Sequence, residues 1–156
     1  MNRVKNICFQ QQHKKIMLLS INTVLCLLTF GCGSSQASQC EQIFQIARQV
    51  TASSQNIASS DSSQPLEKKY WLEAASNLNG AAAQVRALEI DQSQLIGYQN
   101  QLAAVYQLYS QATYDAVRAR ENKNLAALEA ARRDAVQAGK IQRELIRKIN
   151  AFCLAE

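Results

Sequence analysis

The sequence predicts an all-α protein, an up-down-up-down four-helix bundle. Four successive segments place apolar residues at alternating steps of three and four, the spacing that lines one face of a helix. Pro65 is the only proline and β-branched runs are absent, so little interrupts helical continuity or favours strands. The links between segments are short and polar, which makes neighbouring helices antiparallel. A three-helix bundle with one long C-terminal helix is the alternative, because the last link holds neither Gly nor Pro.

The first helix is expected over about 38–59, with Cys40, Ile43, Ala47, Val50, Ser54 and Ile57 on its buried face. Ser59-Ser60-Asp61-Ser62-Ser63-Gln64-Pro65 forms the turn, because Ser and Asp compete for backbone hydrogen bonds and Pro65 suits a first helical turn. The second helix is expected over about 65–89, buried along Trp71, Ala74, Leu78, Ala81, Val85 and Leu88, with Gly80 on its polar side. Asp91 followed by Gln94 reads as a capping box opening the third helix. Its buried register is Leu95, Tyr98, Leu102, Val105, Tyr109, Ala112 and Ala116. The fourth helix is expected over about 124–154, along Leu128, Ala131, Ala135, Ala138, Leu145, Ile149 and Phe152. Glu121-Asn122-Lys123-Asn124 separates the third and fourth. One alternative is a helix continuous through this stretch and through Gly139; another has Gly139 end that helix in an αL cap.

Ahead of the helical part, Arg3, Lys5, Lys14 and Lys15 precede an uncharged apolar run from Ile16 to Phe30, closed by Gly31. This is the layout of a secretory leader, and its 15 residues fall short of the roughly 20 that span a bilayer as a helix. Leu28-Thr29-Phe30-Gly31-Cys32 resembles the lipobox of bacterial lipoproteins, a small residue directly before the modified cysteine. The resemblance covers the leader alone. It implies cleavage before Cys32, acylation of that sulfur and of the new N-terminus, and anchoring of the domain on the non-cytoplasmic side of a bacterial cell membrane or outer membrane. Gly33 is not aspartate, which by resemblance to enteric lipoproteins implies onward sorting to an outer membrane. The expected organisation is a signal peptide over 1–31, a lipidated cysteine and small polar tether over 32–39, and a helical domain over 40–156.

Removing the leader changes the arithmetic. Four of the 17 basic residues lie before Cys32 and all 12 acidic residues after it, so the mature chain carries 13 against 12. The high pI of the whole chain is therefore no argument for nucleic acid. His13, the one histidine, lies in the leader, which leaves the mature chain without His-based metal sites, bases or triads. Of five cysteines, Cys8 and Cys26 leave with the leader and Cys32 takes lipid. Cys40 and Cys153 remain, in a compartment where disulfides persist, and are expected to bond. In a four-helix bundle the start of the first helix and the end of the last lie together; with three helices they lie apart. Bond and helix count thus support each other. This layout, a cysteine at each end of a helical domain, resembles small helical lipoproteins of unknown function, some of them cyanobacterial, and implies no activity.

The chain contains no P-loop, Cys-x-x-Cys or Gly-x-Ser-x-Gly motif. Scattered carboxylates such as Glu89 and Asp91 read as caps and solvated groups, so no catalytic, metal or cofactor residues are expected. Tyr106 and Tyr114 lie off the buried register and are candidate interface residues, while Tyr70 and Trp71 belong to the preceding helix. From Arg118 to Lys148 nine basic residues face four acidic ones, with Glu129–Arg133 and Glu144–Lys148 spaced for helix ion pairs. Arg132, Arg133, Lys140 and Arg143 from this stretch are candidate contacts with an anionic surface or acidic partner. The amides Asn77, Asn79, Gln84, Gln92, Gln94, Gln99, Asn100, Gln101, Gln107 and Gln111 read as wet surface. The expected function is non-enzymatic: a membrane-anchored scaffold or accessory subunit in the cell envelope, with a protein partner. The alternative is a carrier holding a small apolar or aromatic ligand between helices.

Overall fold

A computed structural model describes residues 35–58 and 68–155, with side chains omitted for 56–58; they belong to the unit Cys32–Glu156. The leader, the lipid-attachment Cys32 and the expected turn at 59–67 lie outside the described residues. The described residues form four helices, α1 (Gln36–Ala58), α2 (Lys68–Arg86), α3 (Ser93–Glu121) and α4 (Leu125–Cys153). They pack as the expected four-helix bundle, not the three-helix alternative.

The topology follows from contacts at the two ends. At one end, Gln36 Nε2 donates to the Phe152 carbonyl at 3.1 Å, and Gln39 Oε1 accepts from the backbone N–H of Asp91 at 3.1 Å and of Gln92 at 3.3 Å. At the other, Lys68 at the start of α2 pairs with Glu121 at the end of α3. Consecutive helices therefore run antiparallel. Cys40 and Cys153 meet at the first end in a disulfide, with their Cα atoms 6.1 Å apart across 113 residues of sequence.

α3 is the hub. It packs extensively on both α2 and α4, while α1 lies mainly on α2 and touches α3 and α4 lightly. A helix flanked on two sides buries two stripes, and α3 does. One is the expected register, with Leu95, Leu102, Val105 and Ala112 buried. The second, Gln99, Ala103, Tyr106 and Ser110, was not expected. Two polar residues disguise it. Ser110 Oγ donates to the Ala75 carbonyl at 2.7 Å, and Gln99 Nε2 donates to the carbonyls of Val85 at 2.7 Å and Leu88 at 2.9 Å. Gln99 thereby adds a bond to carbonyls at the end of α2 and in the link after it, the Val85 carbonyl also accepting from Leu88 N–H. It is a buried tie between helices and not the wet surface residue expected.

Further expectations are corrected. Asp91 does not cap α3. Its carboxylate accepts from Gln39 Nε2, and the helix opens two residues later with Gln92 at N-cap and no side-chain cap. Trp71 and Ser54 are exposed, whereas Ile46, Ala75 and Ala82 are buried; α2 packs mainly on α3, whose Ser110 meets it at Ala75. Gly139 is buried within α4 and has no positive φ, so it ends no helix.

The break between α3 and α4 is a Schellman motif without glycine. Lys123 takes the left-handed conformation, φ 52°. Its N–H donates to the Arg120 carbonyl at 3.1 Å, and that of Asn124 reaches back to Ala119 at 2.8 Å. Asn124 then caps the next helix, Oδ1 accepting from Ala127 N–H at 3.0 Å. One residue closes α3 and opens α4.

A cleft under the second half of α1

Among the described side chains of α1, Gln39, Cys40, Ile43 and Ile46 are buried; from Ala47 to Gln55 none is. That second half bridges a cleft of about 420 Å³. Tyr106 and Tyr109 of α3 and Leu78 of α2 form its inner wall. Thr51, Ser54 and Gln55 cover it from α1, and Gln142 closes it from α4. A second hollow of about 400 Å³ adjoins it on the outside, sharing Thr51, Gln55 and Gln142 and carrying Arg48.

Tyr106 is the unusual member. It is 0 % exposed, and its hydroxyl is the one buried side-chain polar atom among the described residues without a hydrogen-bond partner. Burial, with a smaller contribution from the neighbouring Tyr109 phenol, pushes its pKa up to about 12. The phenol is therefore neutral at physiological pH and able to donate. Burial also raises Tyr109, and the nearby Arg143 guanidinium offsets this in part. Tyr109 reaches α4 because Gly139 leaves room: a Cβ there would lie 2.9 Å from the Tyr109 hydroxyl. The sequence hides this site because Tyr106 shares its stripe with Gln99 and Ser110, which break the apolar pattern.

The other candidate residues scatter. Tyr106 is interior and offers no surface for an interface; Tyr114 is half-buried. Arg132, Arg133, Lys140 and Arg143 are exposed along α4, without ion-pair partners among the described residues. Glu144 pairs with Lys148 at 3.7 Å, as its spacing predicts, and also with Arg147; Glu129 and Arg133 do not pair. Tyr98 packs edge-on against Phe152, rings 6.2 Å apart, at the disulfide end. Among the described residues no three His, Cys, Asp or Glu side chains converge, and no helix is long and apolar enough to cross a membrane.

Compared with protein-family models, curated proteins and solved structures, the chain matches none.

Proposed function

We propose that this protein is an exported lipoprotein, anchored through Cys32, whose helical domain acts by binding as a scaffold or accessory subunit of the cell envelope. The observation that carries the reading is the disulfide between Cys40 and Cys153. Such a bond suits an oxidising compartment, in agreement with the leader and lipobox-like sequence. It also ties the first helix to the last at the end of the bundle that residues 32–39 lead into. The opposite end then projects from the anchor, with Trp71 43 % and Leu125 76 % exposed and the cations Arg120, Lys123 and Arg132, which pair with no carboxylate among the described residues, close by in sequence. An apolar and basic end of this kind suits a partner that offers apolar contacts within an acidic rim.

Intact mass of membrane-extracted protein tests the anchor. The expected species starts at Cys32, carries acyl chains and is two hydrogens lighter than the dithiol; an unacylated chain starting at Met1 rejects it. Proximity labelling from the anchored domain tests the scaffold, and enrichment no greater than from a leader-only control rejects that part. A second reading, a carrier of a small ligand, is favoured by the cleft at Tyr106.

A further inference from the structure

We infer that the cleft beneath the second half of α1 binds a ring compound that bears a carbonyl oxygen and no positive charge, the carbonyl accepting a hydrogen bond from the Tyr106 hydroxyl. The inference rests on the carrier reading above and specifies the site and chemistry of the ligand.

Three observations converge. The volume, about 420 Å³, lies in the range of small-molecule sites. Among the described residues the wall is mixed: Leu78, Val50 and two phenol rings offer apolar surface, while Thr51, Ser54, Gln55 and Gln142 offer neutral polar groups. The cations nearest to it are Arg143, beside Tyr109, and Arg48 in the outer hollow, which disfavours ligands that carry a positive charge. Finally, the Tyr106 hydroxyl is a buried donor without an acceptor. Buried polar groups in folded proteins are almost always paired, so an unpaired one on a cleft wall marks where a ligand atom belongs.

Access follows from how α1 is held. Tyr106 is sealed from solvent, so a ligand reaches it by displacing the cover. The first turns of α1 are buried and bonded covalently to α4 through Cys40, whereas Ala47–Gln55 bury no side chain fully. The helix is pinned at its first end, and over Ala47–Gln55 it packs only through partly buried side chains such as Val50. Regions that bury little apolar surface are those that open at low free energy.

The test is a titration of the ¹⁵N-labelled full-length protein in detergent micelles with acetophenone to millimolar concentration, followed by amide shifts. Saturable shifts are expected at Ser54, Leu78 and Gln142, with Trp71 at the far end of α2 unmoved. Tyr106→Phe keeps the ring and removes the donor, and should weaken binding roughly 2- to 10-fold, the worth of one neutral hydrogen bond. Ser54→Trp, a substitution at an exposed position of the cover, fills the cleft and should abolish the shifts. Absence of saturable shifts in the unmodified protein, equal affinity in Tyr106→Phe, or binding retained in Ser54→Trp each overturns the inference. Variants in the same micelles partition the probe equally, so differences between them report the site. Probe binding by a chain that intact mass shows to be unacylated would reject the anchor and leave the cleft standing.

Discussion

Tyr106 places a phenol hydroxyl inside the bundle with nothing to bond. An unsatisfied buried donor costs roughly 1–3 kcal/mol, so the ligand-free protein carries a local penalty there. Tyr106→Phe should therefore raise stability by about 1 kcal/mol, read as a higher urea midpoint at unchanged slope, while it weakens acetophenone binding. Opposite movement of stability and affinity is the mark of a residue kept for a ligand. The raised pKa gives a second handle. The phenol ionises near 10 in the unfolded chain and near 12 in the fold. The folded state thus holds its proton where the unfolded state releases it, so this contribution is intact below pH 10 and lost as pH rises to 12. The urea midpoint of the unmodified protein should fall across that window more steeply than that of Tyr106→Phe.

At the scale of the element, the α3–α4 junction stores strain in one residue. Left-handed backbone costs an L-residue other than glycine about 1 kcal/mol, and Lys123 adopts it because both Schellman hydrogen bonds require it. Lys123→Gly should stabilise the protein by about that amount, and Asn124→Ala should destabilise it by about 1 kcal/mol through loss of the cap to Ala127. Thermal unfolding of the two single variants checks both signs. The glycines inside helices divide in the same way. A Cβ on Gly80 meets nothing within 4 Å, so Gly80→Ala should gain close to 1 kcal/mol in helix propensity. The same change at Gly139 presses on Tyr109 and should gain less; Tyr109→Phe combined with it should restore the difference.

The helix spacing of α4 and of the main stripe of α3 was legible, because periodicity reports which face turns inward. Which residues form a second face was not. Gln99 and Ser110 are buried because carbonyls of α2 accept from their side chains, and those acceptors come from another part of the chain. Asp91 was misplaced for a related reason: a capping box is a local preference of modest size, and the contact with Gln39, 52 residues away, overrode it.

For the whole molecule, the disulfide closes a loop that contains nearly all of the helical domain. Chain entropy alone makes a crosslink across 113 residues worth about 4–5 kcal/mol. Cys40→Ser with Cys153→Ser should lose most of that, seen as a large fall in the guanidinium midpoint matched by reduction of the native protein. Because α1 packs lightly on α3 and α4, it should be the first element whose amides lose exchange protection in the crosslink-free variant.

By itself the sequence determined the helical class and favoured four rods over three, and it tied the pairing of the two end cysteines to that count, since these readings follow from spacing, punctuation and the parity of an antiparallel bundle. Tertiary structure alone decided which helix is the hub, which polar residues are interior, and that the second half of α1 roofs a cleft over an unpaired phenol. Those properties depend on what each face meets across the bundle, and a partner supplied by a distant segment leaves no trace in local periodicity.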